Sequence, residues 1–112
     1  MKTALLLCAL IASASARVCA PVLCAVSNTG SMRPVLAGGE LVLVVSRPIG
    51  EVRRGQVVVF SRGAALIIHR VIARGEVDGE TWLATKGDAN EVRDSGRVTA
   101  SEFVVVVALP KI

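Results

Sequence analysis

The sequence predicts an all-β domain, and three observations carry that reading. Apolar residues come in short runs rather than at helical spacing, the runs are crowded with Val and Ile, and turn signals containing glycine separate them at close intervals. β-Branched side chains favour the pleated strand because their χ1 angle is stiff and packs poorly against the preceding turn of a helix. At 112 residues the chain is a single domain at most, preceded by an apolar segment that need not belong to it.

That segment comes first. In MKTALLLCALIASASAR, Lys2 provides a positive start, Thr3 to Ile11 an apolar stretch, and Ala14-Ser15-Ala16 the small-x-small pattern of an export-signal cleavage site. The apolar residues resume at Val18 and run to Val26. A retained anchor from Thr3 to Val26 is therefore the alternative, at the cost of accommodating Arg17. Residues 1–26 are read as signal peptide or membrane anchor and residues 27–112 as the folded domain. Either reading puts the domain on the exported side of the cytoplasmic membrane, anchored or released. Cys19 and Cys24 are close enough in sequence to close a small disulfide loop there, or are simply small apolar residues of an anchor.

The expected strands follow in order. Glu40–Val45 (ELVLVV) is entered through Gly38-Gly39, and Gln56–Phe60 (QVVVF) through Arg54-Gly55. Leu66–Ala73 (LIIHRVIA) follows Arg62-Gly63, and Thr81–Thr85 (TWLAT) follows Asp78-Gly79. Glu102–Leu109 (EFVVVVAL) comes after a polar chain-reversing loop, Lys86 to Arg97. Compositional class agrees: 53% apolar and 20% charged residues exclude a disordered chain. The net charge of +4 comes from scattered arginines, and two Phe and one Trp are too few for a base-stacking platform, so no nucleic-acid partner is expected. A negatively charged membrane surface suits such a charge better. One histidine in the chain argues against a Cys/His metal site, and no cofactor is implied.

Three islands break the β pattern with reactive side chains: Thr29-Gly30-Ser31-Met32, His69-Arg70-Val71, and Thr85-Lys86-Gly87-Asp88-Ala89-Asn90 followed by Asp94. A serine hydroxyl becomes a nucleophile when a base takes its proton, an imidazole is the usual base, and a carboxylate fixes the imidazole's tautomer. Each island also has a plain structural reading. Ser31 sits in a polar turn, His69 shares a strand face with Ile67, Val71 and Ala73, and Asp88 and Asp94 are ordinary turn formers.

The wording TGSMRP, GQVVVF, IIHRVIA and TKGDANEVRDSGRV resembles type I signal peptidases over nearly all of Ser27 to Val107. Histidine in HRV is similar to the endoplasmic-reticulum branch, shared with archaea and some sporulating bacteria, whereas bacterial leader peptidases of the common kind carry lysine there. The resemblance implies a compact signal-peptidase-like (LexA-like) β domain and a serine endopeptidase acting on secretory precursor proteins after small residues, at Ala-x-Ala-like sites, without metal. It makes Ser31 the nucleophile, His69 the general base and Asp94 the acid that orients it, with Asp88 supporting the loop or the triad. Thr29 and the Ser31 backbone N–H would bind the oxyanion, and Met32 and Pro34 would shape the substrate groove. Pro34 is expected to hold Arg33 extended, along a strand-like substrate. Glu40 and Gln56 stand where the family usually has Asp, and the chain is expected to lack the second β domain of larger relatives. Two alternatives remain: a self-cleaving repressor-type peptidase, which uses lysine, and an inactive β module that binds extended peptides.

Overall fold

The computed structural model describes residues 6–8, 22–26 and 29–112. Seven strands form one antiparallel sheet: β1 (Leu6–Cys8), β2 (Val22–Val26), β3 (Leu41–Val45), β4 (Val57–Arg62), β5 (Ala65–Val77), β6 (Glu80–Lys86) and β7 (Phe103–Leu109), in the spatial order β1-β2-β3-β7-β4-β5-β6. The helical element among the described residues is a single 3₁₀ turn, Ile49–Glu51. No helix among them is long and apolar enough to cross a membrane.

The five strands expected from the sequence are present with ends shifted by a few residues. The largest difference is β5, which runs on to Val77 because Asp78 (φ 52°) and Gly79 (φ 77°) both take the left-handed conformation. A tight two-residue turn of that kind matches strand twist and lets β5 and β6 pair all the way to Val77 opposite Glu80. A second difference lies in the apolar segment. Val22–Val26 is a strand of the sheet, paired with β3 from Val22 opposite Val44 to Ala25 opposite Leu41. Its side chains alternate, Cys24 and Val26 buried and Leu23 exposed. Period-two burial of this sort was hidden in the sequence because every residue from Val22 to Val26 is apolar or small. Cys24 is disulfide-bonded, with its partner outside the described side chains. Cys19, Arg17 and the Ala14-Ser15-Ala16 site also lie outside the described residues.

The middle of the sheet, β4 and the first half of β5, is buried on both faces, which explains why those strands read as continuous apolar runs. One core holds Met32, Leu36, Val42, Val44, Val59 and Ile68, with Cys24 and Val26 from β2. The other holds Val52, Val58, Phe60, Ile67, Val71 and Leu83, closed by Val98. Alternate residues of β4 and β5 thus feed different cores. The segment from Thr29 to Glu40 links β2 to β3 and packs on the first core through Met32 and Leu36. The loop after β6 returns through a bridge between Leu83 and Val98.

Candidate active site

Ser31 begins a turn whose shape follows from Gly30. That residue takes φ +80°, which glycine adopts without a Cβ penalty. The chain then curls, with Arg33 N–H donating to the Gly30 carbonyl at 3.3 Å and Leu36 N–H to the Met32 carbonyl at 2.9 Å. Residues 31–35 are therefore a turn, and the expected extended geometry at Arg33 is not found; the Arg33–Pro34 peptide is cis. Met32 is 1% exposed and belongs to the core, so its side chain anchors the segment from beneath. Pro34 is exposed.

The far end of this segment is fixed by Glu40. Ala37 and Gly38 donate their N–H groups to its carboxylate at 2.6 and 2.5 Å, and Gly39 N–H donates to the Val26 carbonyl at 2.6 Å. Burial works to raise the Glu40 pKa, but the Ala37 and Gly38 N–H groups outweigh it and hold the carboxyl below its ordinary range. Glu40 is thus a turn-forming residue that closes the loop carrying Ser31.

His69 is wholly buried near the middle of β5, opposite Val58. The ring of Phe60 meets it edge-on, centroids 6.4 Å apart. Its Nδ1 lies 2.6 Å from Asp94 Oδ2. A carboxylate can only accept, so the proton of that bond sits on Nδ1 and the lone pair of the neutral ring sits on Nε2. Nε2 is buried without a hydrogen-bond partner among the described residues, as is Asp94 Oδ1. Asp94 is in turn held by Thr85, whose carbonyl accepts the Asp94 N–H at 2.9 Å and whose hydroxyl donates to Oδ2 at 2.7 Å.

Gly87 joins the two islands. A Cβ there would lie 2.6 Å from the Ser31 carbonyl oxygen and 2.9 Å from His69 Nε2. Both atoms face one small space that only a glycine leaves open. Two more contacts staple the turn to the loop: Ala89 N–H donates to the Ser31 carbonyl at 2.9 Å, and Asp88 N–H to Met32 Sδ at 3.4 Å. Ser31 Oγ lies 3.3 Å from Thr29 Oγ1, and its hydroxyl is 1% exposed with the rest of the residue. No hydrogen bond joins Ser31 Oγ to His69 Nε2 in this arrangement.

Asp88 does not approach His69. Its carboxylate takes a bidentate pair from Arg70, at 2.9 Å from Nε and 2.7 Å from Nη2, while Arg70 Nη1 donates to the carbonyls of Gly55 and Ile112. The Asp88 hydrogen bond raises the Arg70 pKa against the effect of burial. The side-chain partner of the Asp88 carboxylate is thus Arg70, and no hydrogen bond joins it to the imidazole. Lys86 Nζ donates to the carbonyls of Gly87 and Asn90, at 3.0 and 2.7 Å. Sequence reasoning gave no role to Thr85, Gly87 or Arg70, although all three lie inside the islands it singled out. A threonine next to an apolar strand run, two residues before a glycine, was the available signal for the first two.

A mostly apolar depression of about 460 Å³ lies behind Asp94, bordered by Trp82, Val92 and Arg97; neither Ser31 nor His69 lines it. Among the described residues no group of His, Cys, Asp or Glu is arranged to hold a metal ion.

The profile of the family described as "Signal peptidase, peptidase S26" matches residues 1–79. The signal peptidase complex catalytic subunit SEC11C of Homo sapiens is 41% identical over 71 residues, 61% of this chain and 37% of that protein. The same figures hold for SEC11C of Canis lupus familiaris. The signal peptidase complex catalytic subunit SEC11 of Chaetomium globosum is 36% identical over 70 residues, 60% of this chain and 41% of the other. The chain thus spans well under half the length of these relatives. No solved structure matches it significantly. The family match includes Ser31 and His69 and ends before Thr85, Gly87 and Asp94.

Proposed function

This chain belongs to the signal peptidase family, peptidase S26, and from that premise we propose that it is a serine endopeptidase in which Ser31 is the nucleophile, His69 the general base and Asp94 the acid that orients it. The observation that carries the reading is the buried His69–Asp94 pair at 2.6 Å, which leaves Nε2 without a partner and facing the Ser31 segment across Gly87. A buried imidazole whose proton is held on Nδ1 by a carboxylate keeps its acceptor nitrogen available, which is what proton abstraction requires.

The chemistry runs as acyl transfer. Oγ of Ser31 attacks the scissile carbonyl carbon as Nε2 of His69 takes its proton, and the imidazolium then protonates the leaving amine. Water repeats the sequence on the acyl-enzyme. Asp94 keeps the Nδ1 proton in place and stabilises the charged ring without itself taking the proton. The Thr29 hydroxyl, already beside Ser31 Oγ, and the Ser31 N–H bind the oxyanion. The substrates are secretory precursors cut after small residues, presented at a membrane surface on the exported side of the cytoplasmic membrane. Residues 1–26 serve as export signal or anchor, with Leu6–Cys8 and Val22–Val26 also present as paired strands of the sheet.

Burial of Ser31 favours one other reading, a peptide-binding module that does not turn over. The full chain incubated with a panel of secretory precursors, with cut sites mapped by mass spectrometry, separates the two. Ser31→Ala and His69→Ala should each lose about 10³-fold or more, the double variant should lose little beyond either, and cuts should follow Ala, Gly or Ser. Peptide binding without turnover by the wild type defeats the enzymatic reading. Loss of cleavage in Lys86→Ala with His69→Ala active makes Lys86 the base instead.

A further inference from the structure

We infer that Thr85 is a positioning residue of the site, acting through Asp94 on the imidazole; for its kinetic readout the inference rests on the peptidase reading above.

Thr85 lies at the end of β6, opposite Val71, and is 1% exposed. The neighbouring buried residues Leu83 and Ala84 show that an apolar side chain suits this strand. A hydroxyl in such a place costs free energy unless it is hydrogen-bonded, and it has its partner in Asp94 Oδ2 at 2.7 Å. That is the same oxygen that receives the His69 Nδ1 proton at 2.6 Å. Asp94 is on a loop with no strand of its own, yet the Thr85 carbonyl also accepts its N–H at 2.9 Å. One residue thus grips the acid by main chain and side chain together.

The hydroxyl has a chemical effect as well as a geometric one. Asp94 Oδ1 has no partner among the described residues, so both donors to the carboxylate converge on Oδ2. A donated hydrogen bond stabilises the carboxylate charge and lowers the oxygen's attraction for the imidazolium. Without Thr85 the same carboxylate would hold the charged imidazole more strongly, and the neutral ring needed for proton abstraction would form only at higher pH. The other charged groups near the pair are Lys86 on β6, the Arg70–Asp88 pair on β5 and the loop, and Glu91, Arg93 and Arg97 on the loop that carries Asp94; β4 faces the ring with Val58 and Phe60. All of these remain unchanged when the Thr85 hydroxyl alone is removed.

The test exploits the single histidine of the chain, whose ring signals need no assignment by mutation. The imidazole is titrated by NMR in the full chain and in Thr85→Val, Thr85→Ala and Thr85→Ser, and kcat and KM are measured on a precursor peptide across the same pH range. Val and Ala should move the titration midpoint upward by about half a pH unit and lower kcat by up to about threefold at neutral pH, with KM unchanged. Ser, which restores the donor, should return both to the wild-type values. An unmoved midpoint in Val or Ala, or a Ser variant that behaves like them, overturns the inference and leaves Thr85 a packing residue. Should Val fail to fold, Ala and Ser give the same comparison. The NMR readout also stands if no turnover is found, so failure of the peptidase reading and failure of the Thr85 inference give different results.

Discussion

At the scale of single residues the site is decided by what is missing at position 87. Gly87 takes an ordinary negative-φ conformation, so flexibility is not why a glycine is needed there; space is. Two of the three atoms a Cβ would strike, the Ser31 carbonyl oxygen and His69 Nε2, belong to a stapled turn and a buried ring and cannot swing away. The third, Asn90 Nδ2 at 2.7 Å, is the end of a movable side chain and can. Gly87→Ala is therefore expected to displace the turn or the ring by several tenths of an ångström. A misplacement of a full ångström costs about 10²-fold in rate, so a loss of up to that size is expected. Overpacking should cost only about 1–3 kcal/mol of stability. Steady-state kinetics beside a urea titration checks both, and an Ala variant with wild-type kcat would show that Nε2 is not approached across this space.

At the scale of elements, the loop from Thr29 to Glu40 is held at its far end by one ionised carboxylate. Glu40 has a pKa below its ordinary value of 4.5. Its contribution to stability is therefore present in full above that value and lost as the pH falls through the lower, folded-state pKa. Glu40 is only half-buried, so solvent screening limits the contribution to about 1 kcal/mol or less. Glu40→Gln should lower the urea midpoint relative to wild type at pH 7, and the gap should narrow toward pH 3. A gap that stays constant with pH would mean that the turn is held by the paired backbone of Val26 and Glu40 rather than by charge.

At the scale of the whole molecule, stability and site geometry share the second core. Phe60 is fully buried there, its edge against His69 and the Arg62 guanidinium 5.2 Å from its ring centre. Phe60→Ala should cost about 3–5 kcal/mol and reduce activity in the fraction that stays folded, because the cavity frees the imidazole. Val92, 76% exposed on the polar loop, is the contrasting case: Val92→Ala should change stability by no more than about 0.5 kcal/mol. Thermal unfolding of the two variants decides it. Equal losses would mean that the loop is packed more firmly in solution than its exposure indicates.

The strands β3 to β7 were legible because local chemistry specifies them. β-Branched runs extend the chain and Asp78-Gly79 and Gly38-Gly39 reverse it, whereas Ser31, His69 and Asp94 each also read as ordinary turn or strand residues and were singled out by the resemblance to signal peptidases. Val22–Val26 was not legible as a strand, since an all-apolar stretch carries no period and reads equally well as part of an anchor. Nor could spacing alone separate Asp88 from Asp94, six residues apart on one loop. The tertiary structure gives the two different partners: Arg70 on β5 takes Asp88 in a bidentate pair, and Thr85 on β6 and His69 on β5 both bond Asp94. Sequence sets which groups are available to ionise and donate. Only the packing of β5 against β6 sets which of them meet, because a hydrogen bond of under 3 Å depends on positions that distant parts of the chain fix together.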